Sequence, residues 1–167
     1  EMAARSIEAA RGKIDIGSIA NDLGSQLDLL FSPGTMRKLF LPGIRRLAEL
    51  AHQSGMAVYL HSDGAIRKAI PDLIEAGVEI LDPVQWRCKG MEREGLKANF
   101  GDKLIFHGAM DNQYTLAFGT VEECRQEALD NLRILGEGGG LILGPCHNIQ
   151  PISPPENVVA YYETAYE

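Results

Sequence analysis

The sequence predicts an α/β fold, a parallel sheet that forms part of a (β/α)8 TIM barrel with about five β/α units. Three observations predict it. Apolar runs of strand length alternate strictly with segments of helical period. The Gly-x-Gly-x-x-Gly turn of a dinucleotide-binding doubly wound sheet, the other architecture that fits such alternation, is absent from the sequence. Side chains able to bind metals or move protons collect where the strands should end, which is where parallel α/β folds keep their chemistry.

After a short helical stretch, strands are predicted over residues 14–20, 56–60, 78–81, 104–106 and 141–143, each followed by a helix. Ser32 and Pro33 open the first long helix, because a serine oxygen caps free amides and proline fits the first turn. Its residues Met36, Leu39, Phe40, Ile44, Leu47 and Ala51 recur at helical spacing and are assigned to the core. Helices over residues 71–76 and 91–100 precede Gly77 and Gly101, both read as left-handed C-caps. Thr120 with Glu123, and Ser153 with Glu156, have capping-box spacing, so helices are expected to start near residues 121 and 154.

A complete barrel takes about 250 residues and eight strands. A chain of 167 residues that starts at Glu1 is therefore expected to be the carboxyl-terminal part of a single barrel domain, residues 1–167. An incomplete barrel exposes strand edges and one side of its core, so a homodimer or pairing with the missing half is expected. With 16 basic and 23 acidic residues, the chain lacks the electrostatic footprint of a nucleic-acid or anionic-lipid binder. Apolar runs far shorter than the roughly 20 residues of a spanning helix, no signal peptide and three sparse cysteines point to the cytoplasm. Cys88 and Cys124 are read as inert thiols.

Parallel strands would bring together Asn21 and Asp22; His61, Ser62 and Asp63; Asp82 and Gln85; His107 and Asp111; and Cys146, His147 and Asn148. His61 and Asp63 project two metal donors from one strand end, and Cys146 offers a thiolate from another. Together they make a three-ligand set with an open position, the arrangement of catalytic zinc. The competing reading makes Asp63 the N-cap of a helix starting at Ala65 and Cys146 a small buried residue. His147 is the candidate acid/base because imidazole titrates near neutrality, whereas His52 falls in a helix. Asp22 and Asp111 are candidate catalytic carboxylates that accept ligand N–H groups, although both lie next to turns where aspartate also serves the local backbone, and Asn148, Gln85 and His107 are assigned to cofactor contact.

The stretches His61-Ser62-Asp63-Gly64, Ile70 through Gln85, Gly108-Ala109-Met110-Asp111-Asn112-Gln113 and Pro145-Cys146-His147-Asn148-Ile149-Gln150 together resemble the uroporphyrinogen decarboxylase superfamily, particularly its cobalamin-dependent methyltransferase branch. The resemblance implies a (β/α)8 barrel, with the matching region its carboxyl-terminal half. That branch holds zinc with a His-x-Cys pair and a later Cys, which fall on His61, Asp63 and Cys146; Asp63 stands where the branch has Cys. Carboxylate oxygen also coordinates zinc but hardens the donor set and admits other metals. The implied reaction moves a methyl group from methylcobalamin or another methylated corrinoid, free or carried by a corrinoid protein, to a small thiol. The decarboxylase branch implies instead cofactor-free decarboxylation of uroporphyrinogen, its histidine falling on His147. A third reading is an inactive fragment that binds a tetrapyrrole or corrinoid, or associates with itself.

Overall fold

A computed structural model describes residues 2–166. The chain runs α1 (Met2–Ala10), β1 (Ile16–Ala20), α2 (Pro33–Leu39), α3 (Leu41–Gln53), β2 (Ala57–His61), α4 (Ile70–Glu75), β3 (Ile80–Asp82), α5 (Arg93–Phe100), β4 (Ile105–Met110), α6 (Thr115–Phe118), α7 (Val121–Ile134), β5 (Leu141–Pro145) and α8 (Pro155–Tyr166). The strands form one parallel sheet in the order β1-β2-β3-β4-β5. That order, with no reversal, is an arc of a barrel; a doubly wound sheet reverses at its switch point.

Alternation along the strands separates two faces. Val58, Leu60, Leu81 and Phe106 point outward and are fully buried against Ile44, Ala48 and Ala51 of α3, Ile70 and Leu73 of α4 and Leu96 of α5. A second cluster packs Met110 and Leu116 against Cys124 and Ala128 of α7 and Tyr161 of α8. On the inner, concave face Ile16, Ile105 and Ile142 are exposed, and Tyr59, His61 and His107 are half-buried.

Several local expectations need correction. The strands end later than predicted, reaching His61, Asp82, Met110 and Pro145, because parallel pairing continues through polar and glycine residues that break the apolar signal. The helix opened by Ser32 is two helices: Pro42 lacks an amide for α2 to continue, and Phe40 closes α2 while opening α3. Leu39 (65% exposed) and Leu47 (40%) consequently leave the predicted core stripe, whereas Met36, Ile44 and Ala51 are buried. Gly77 has the left-handed φ of +97°, but Gly101 stays right-handed at −66°. The Thr120–Glu123 capping box forms. The one at Ser153 does not, because α8 starts at Pro155, one residue later than that spacing requires, and the buried Ser153 hydroxyl has no partner among the described residues. No helix starts at Ala65, so Asp63 is not an N-cap; α4 starts at Ile70.

Candidate functional site at the carboxyl end of the sheet

Register aligns Ala20 with His61 and His61 with Asp82, and the pairing of Ile80 with Ile105 carries on to place His107 beside Asp82. Asp82 accepts from His61 Nδ1 at 2.6 Å and from His107 Nδ1 at 2.5 Å through separate oxygens. An ionised carboxylate only accepts, so each ring carries its proton on Nδ1, and a neutral ring then presents the Nε2 lone pair. The Tyr59 ring meets His107 edge to face, which sets its hydroxyl near the same carboxylate. Burial alone would raise the Asp82 carboxyl, but hydrogen bonds from His107, Tyr59 and His61 outweigh it and hold it below the usual range. Burial and the Asp82 carboxylate push the Tyr59 phenol up. Asp82 is the central residue that sequence reasoning left without a role. The signal was an acid closing an apolar run on a middle strand, flanked on both neighbouring strands by histidine.

On the other side of His61, donor atoms of Asp22, His61 and Asp63 all lie within 4.8 Å of one another. Two glycines make this approach possible. Gly64 has φ +92°, and a Cβ there would lie 2.6 Å from the backbone of Gly24 and Ser25; one on Gly24 would lie 2.9 Å from the Asp63 carbonyl. The loop after β1 therefore packs backbone to backbone on the loop after β2. Ser62 Oγ fastens it by accepting from the Leu23 amide (2.9 Å), and Asp22 Oδ1 accepts from the Asp63 amide (3.1 Å). Burial raises the Asp63 carboxyl; Asp22 and Asp82 add to the rise, while His61 and His147 oppose it.

Cys146, expected as the third metal ligand, is not in this cluster. Its buried thiol donates to the Val84 carbonyl at 3.3 Å, and burial pushes it well up, disfavouring the thiolate. Asp22 takes that place among the donors. Asp111 is buried, with Gln113, Tyr114 and Thr115 amides and Arg87 on its carboxylate, so it is committed to the turn after β4 and not presented to a ligand. Gln85 Oε1 accepts from the Gly64 amide at 2.9 Å, a brace for the metal-type cluster. His147 and Asn148 are exposed on a loop clamped by Asn112, which bonds the His147 amide (3.1 Å) and carbonyl (3.0 Å).

Two clefts meet at this loop, with Cys146 and His147 lining both. One, about 530 Å³, lies on the concave face with Tyr59, His61, Asp82 and His107. The other, about 480 Å³, contains Asp63 and the carboxamides of the neighbouring loops. A sequential parallel arc with imidazole and carboxylate groups at its carboxyl end defines a barrel-type site.

The uroporphyrinogen decarboxylase (URO-D) family profile matches residues 4–167, and the chain belongs to that family. A methylcobamide:CoM methyltransferase, MtaA, of Methanosarcina barkeri is 31% identical over 146 residues, covering 87% of this chain and 40% of that protein. A uroporphyrinogen decarboxylase of Psychromonas ingrahamii is 32% identical over 71 residues, 42% of this chain and 20% of that one. Among solved structures, a methyltransferase from Methanosarcina mazei superimposes with a TM-score of 0.74 at 25% identity, over 97% of this chain and 44% of its own. The chain thus spans about two fifths of the length of the methyltransferase relative. Among the described residues, no helix is long and apolar enough to cross a membrane.

Proposed function

We propose that this chain is the metal-holding, carboxyl-terminal part of a URO-D-family barrel that transfers a methyl group from a methylated corrinoid to a thiol. The observation that carries this reading is the convergence of Asp22, His61 and Asp63 donor atoms within 4.8 Å at the strand ends. One imidazole nitrogen and two carboxylate oxygens suit zinc and also harder divalent ions. A divalent cation bound there supplies Lewis acidity that lowers the pKa of a thiol.

The chain's own residues do the rest. Asp82 holds the Nδ1 proton of His61, so that Nε2 faces the donor cluster, as the second partner of a ligating histidine does. His147, on the ridge between the clefts, takes the proton released by the thiol. The concave cleft with His107 is the side for the corrinoid, with Asn148 at its rim and Gln85 acting through Gly64. The relatives that support this reading are the methyltransferases, by their coverage of this chain.

Metal analysis after zinc loading tests it. About one zinc per chain, absent in His61→Ala, is the expected result. No metal in either protein sinks the reading and turns attention to metal-free carboxyl loss from uroporphyrinogen.

A further inference from the structure

The cleft beside Asp63 has a lining of unusual chemistry. Five carboxamides face it, from Gln26, Gln85, Asn112, Gln113 and Gln150, and no lysine or arginine is among its described lining residues. Arg87, the nearest cation in sequence to Gln85, is turned outward: it pairs with Asp111, donates to Thr115 Oγ1 at 3.0 Å and lies 4.4 Å over the Trp86 ring. The titratable groups on the lining are Asp63, His147 and Asp111, the last neutralised by Arg87.

The amides are not all spent on the protein. Asn112 is fully used in clamping the His147 loop. Gln26 uses Oε1 for the Cys88 thiol, Gln113 uses Oε1 for Gln85, and Gln150 uses Nε2 for the Asn148 carbonyl. Each of the three keeps its other end free of hydrogen bonds within the described residues. The cleft therefore presents two N–H2 donors, from Gln26 and Gln113, and one carbonyl acceptor, from Gln150. That set pairs with a neutral amide or hydroxyl. An anionic body would meet no unpaired lysine or arginine among the described lining residues, since Arg87 is held by Asp111, and a desolvated, unpaired charge costs far more than a paired dipole.

We infer that the carboxamide-lined cleft binds the thiol substrate, and that this substrate carries an uncharged, amide- or hydroxyl-bearing body in place of an anionic one. The inference rests on the methyl-transfer reading for the word thiol, but not for the preference between neutral and anionic ligands.

The test is nuclear magnetic resonance titration of the metal-free chain, following the side-chain N–H2 signals of Gln26 and Gln113. The probes are N-acetylcysteamine (neutral), 2-mercaptoethanesulfonate (anionic) and cysteamine (cationic). The expected result is that N-acetylcysteamine shifts these signals and binds at least about tenfold more tightly than the sulfonate. Gln113→Lys, an exposed substitution that the fold tolerates, reverses that ranking. Equal or tighter binding of the sulfonate or of cysteamine to the unchanged chain overturns the inference, as does an absence of shifts with all three. Because no metal is present, failure of the zinc analysis leaves this result standing. Zinc binding lost in His61→Ala, combined with unmoved amide signals, would overturn the cleft assignment alone.

Discussion

Asp111 after β4 and Asp63 after β2 are both carboxylates at the carboxyl end of the same sheet, and their surroundings are opposite. Asp111 collects three backbone amides and an arginine. Asp63 is crowded by Asp22 and Asp82, and burial lifts its carboxyl. The difference separates two uses of the same side chain. A carboxylate saturated by donors holds a turn in place, and one kept short of donors is available to a cation. Asp82 stands between them, saturated by the two imidazoles it aims.

Substitutions can break or sharpen that contrast. Asp111→Ala has the largest expected effect, a loss of about 3–5 kcal/mol in denaturant unfolding, because Arg87 and three amides lose their partner at a buried position. Asp82→Asn follows at about 2 kcal/mol, since an amide cannot accept from both imidazoles as a carboxylate does. Its more telling readout is zinc affinity, which should fall about 10–100-fold as His61 loses its fixed orientation. In 15N spectra of the imidazoles, a mixture of tautomers should replace the Nδ1–H form. If zinc affinity is unchanged, Asp82 does not position His61.

Asp63→Asn should cost little stability, within about 0.5 kcal/mol, yet abolish metal retention. The pH dependence separates the two acids further. The raised Asp63 carboxyl leaves the native state holding more protons than the unfolded chain just above the ordinary carboxylate range, so its contribution falls as pH rises through that window. The depressed Asp82 carboxyl gives stability that is present above that range and is lost as pH falls through its lowered value. Stability scans between about pH 3 and 7 should show the alkaline-side decline vanish in Asp63→Asn and the acid-side decline shrink in Asp82→Asn. The smallest change is expected from Ser153→Ala, which removes a buried hydroxyl without a partner among the described residues and should leave stability unchanged or raise it by up to about 1 kcal/mol.

The alternation of strand and helix, and the gathering of ligand-type residues at strand ends, were legible in the sequence because both follow from apolar period and punctuation. Strand ends were not, since His61, Asp82 and Pro145 do not extend an apolar run even though their backbones pair. Cys146 was assigned by its chemical type, and only the fold shows its thiol turned to the Val84 carbonyl. Asp22 could be placed near His61, but its approach to Asp63 depends on the Gly24–Gly64 packing, a contact across 40 residues with no local signature. Sequence left Asp111 open between a carboxylate that accepts ligand N–H groups and one that holds its own turn, because a saturated and an unsaturated carboxylate are spelled alike.

The sequential strand order gives the molecule a one-dimensional logic. Each strand pairs only with its neighbours in the chain, so the arc can assemble by nearest-neighbour additions, as in solenoid proteins. The Asp82 triad uses β2, β3 and β4 alone. Aligning the two imidazoles therefore needs only the middle of the arc, whereas the Asp22–Asp63 contact also needs β1 paired at its edge. One arm of the site is inherited from the centre of the sheet, and the other is granted by its rim.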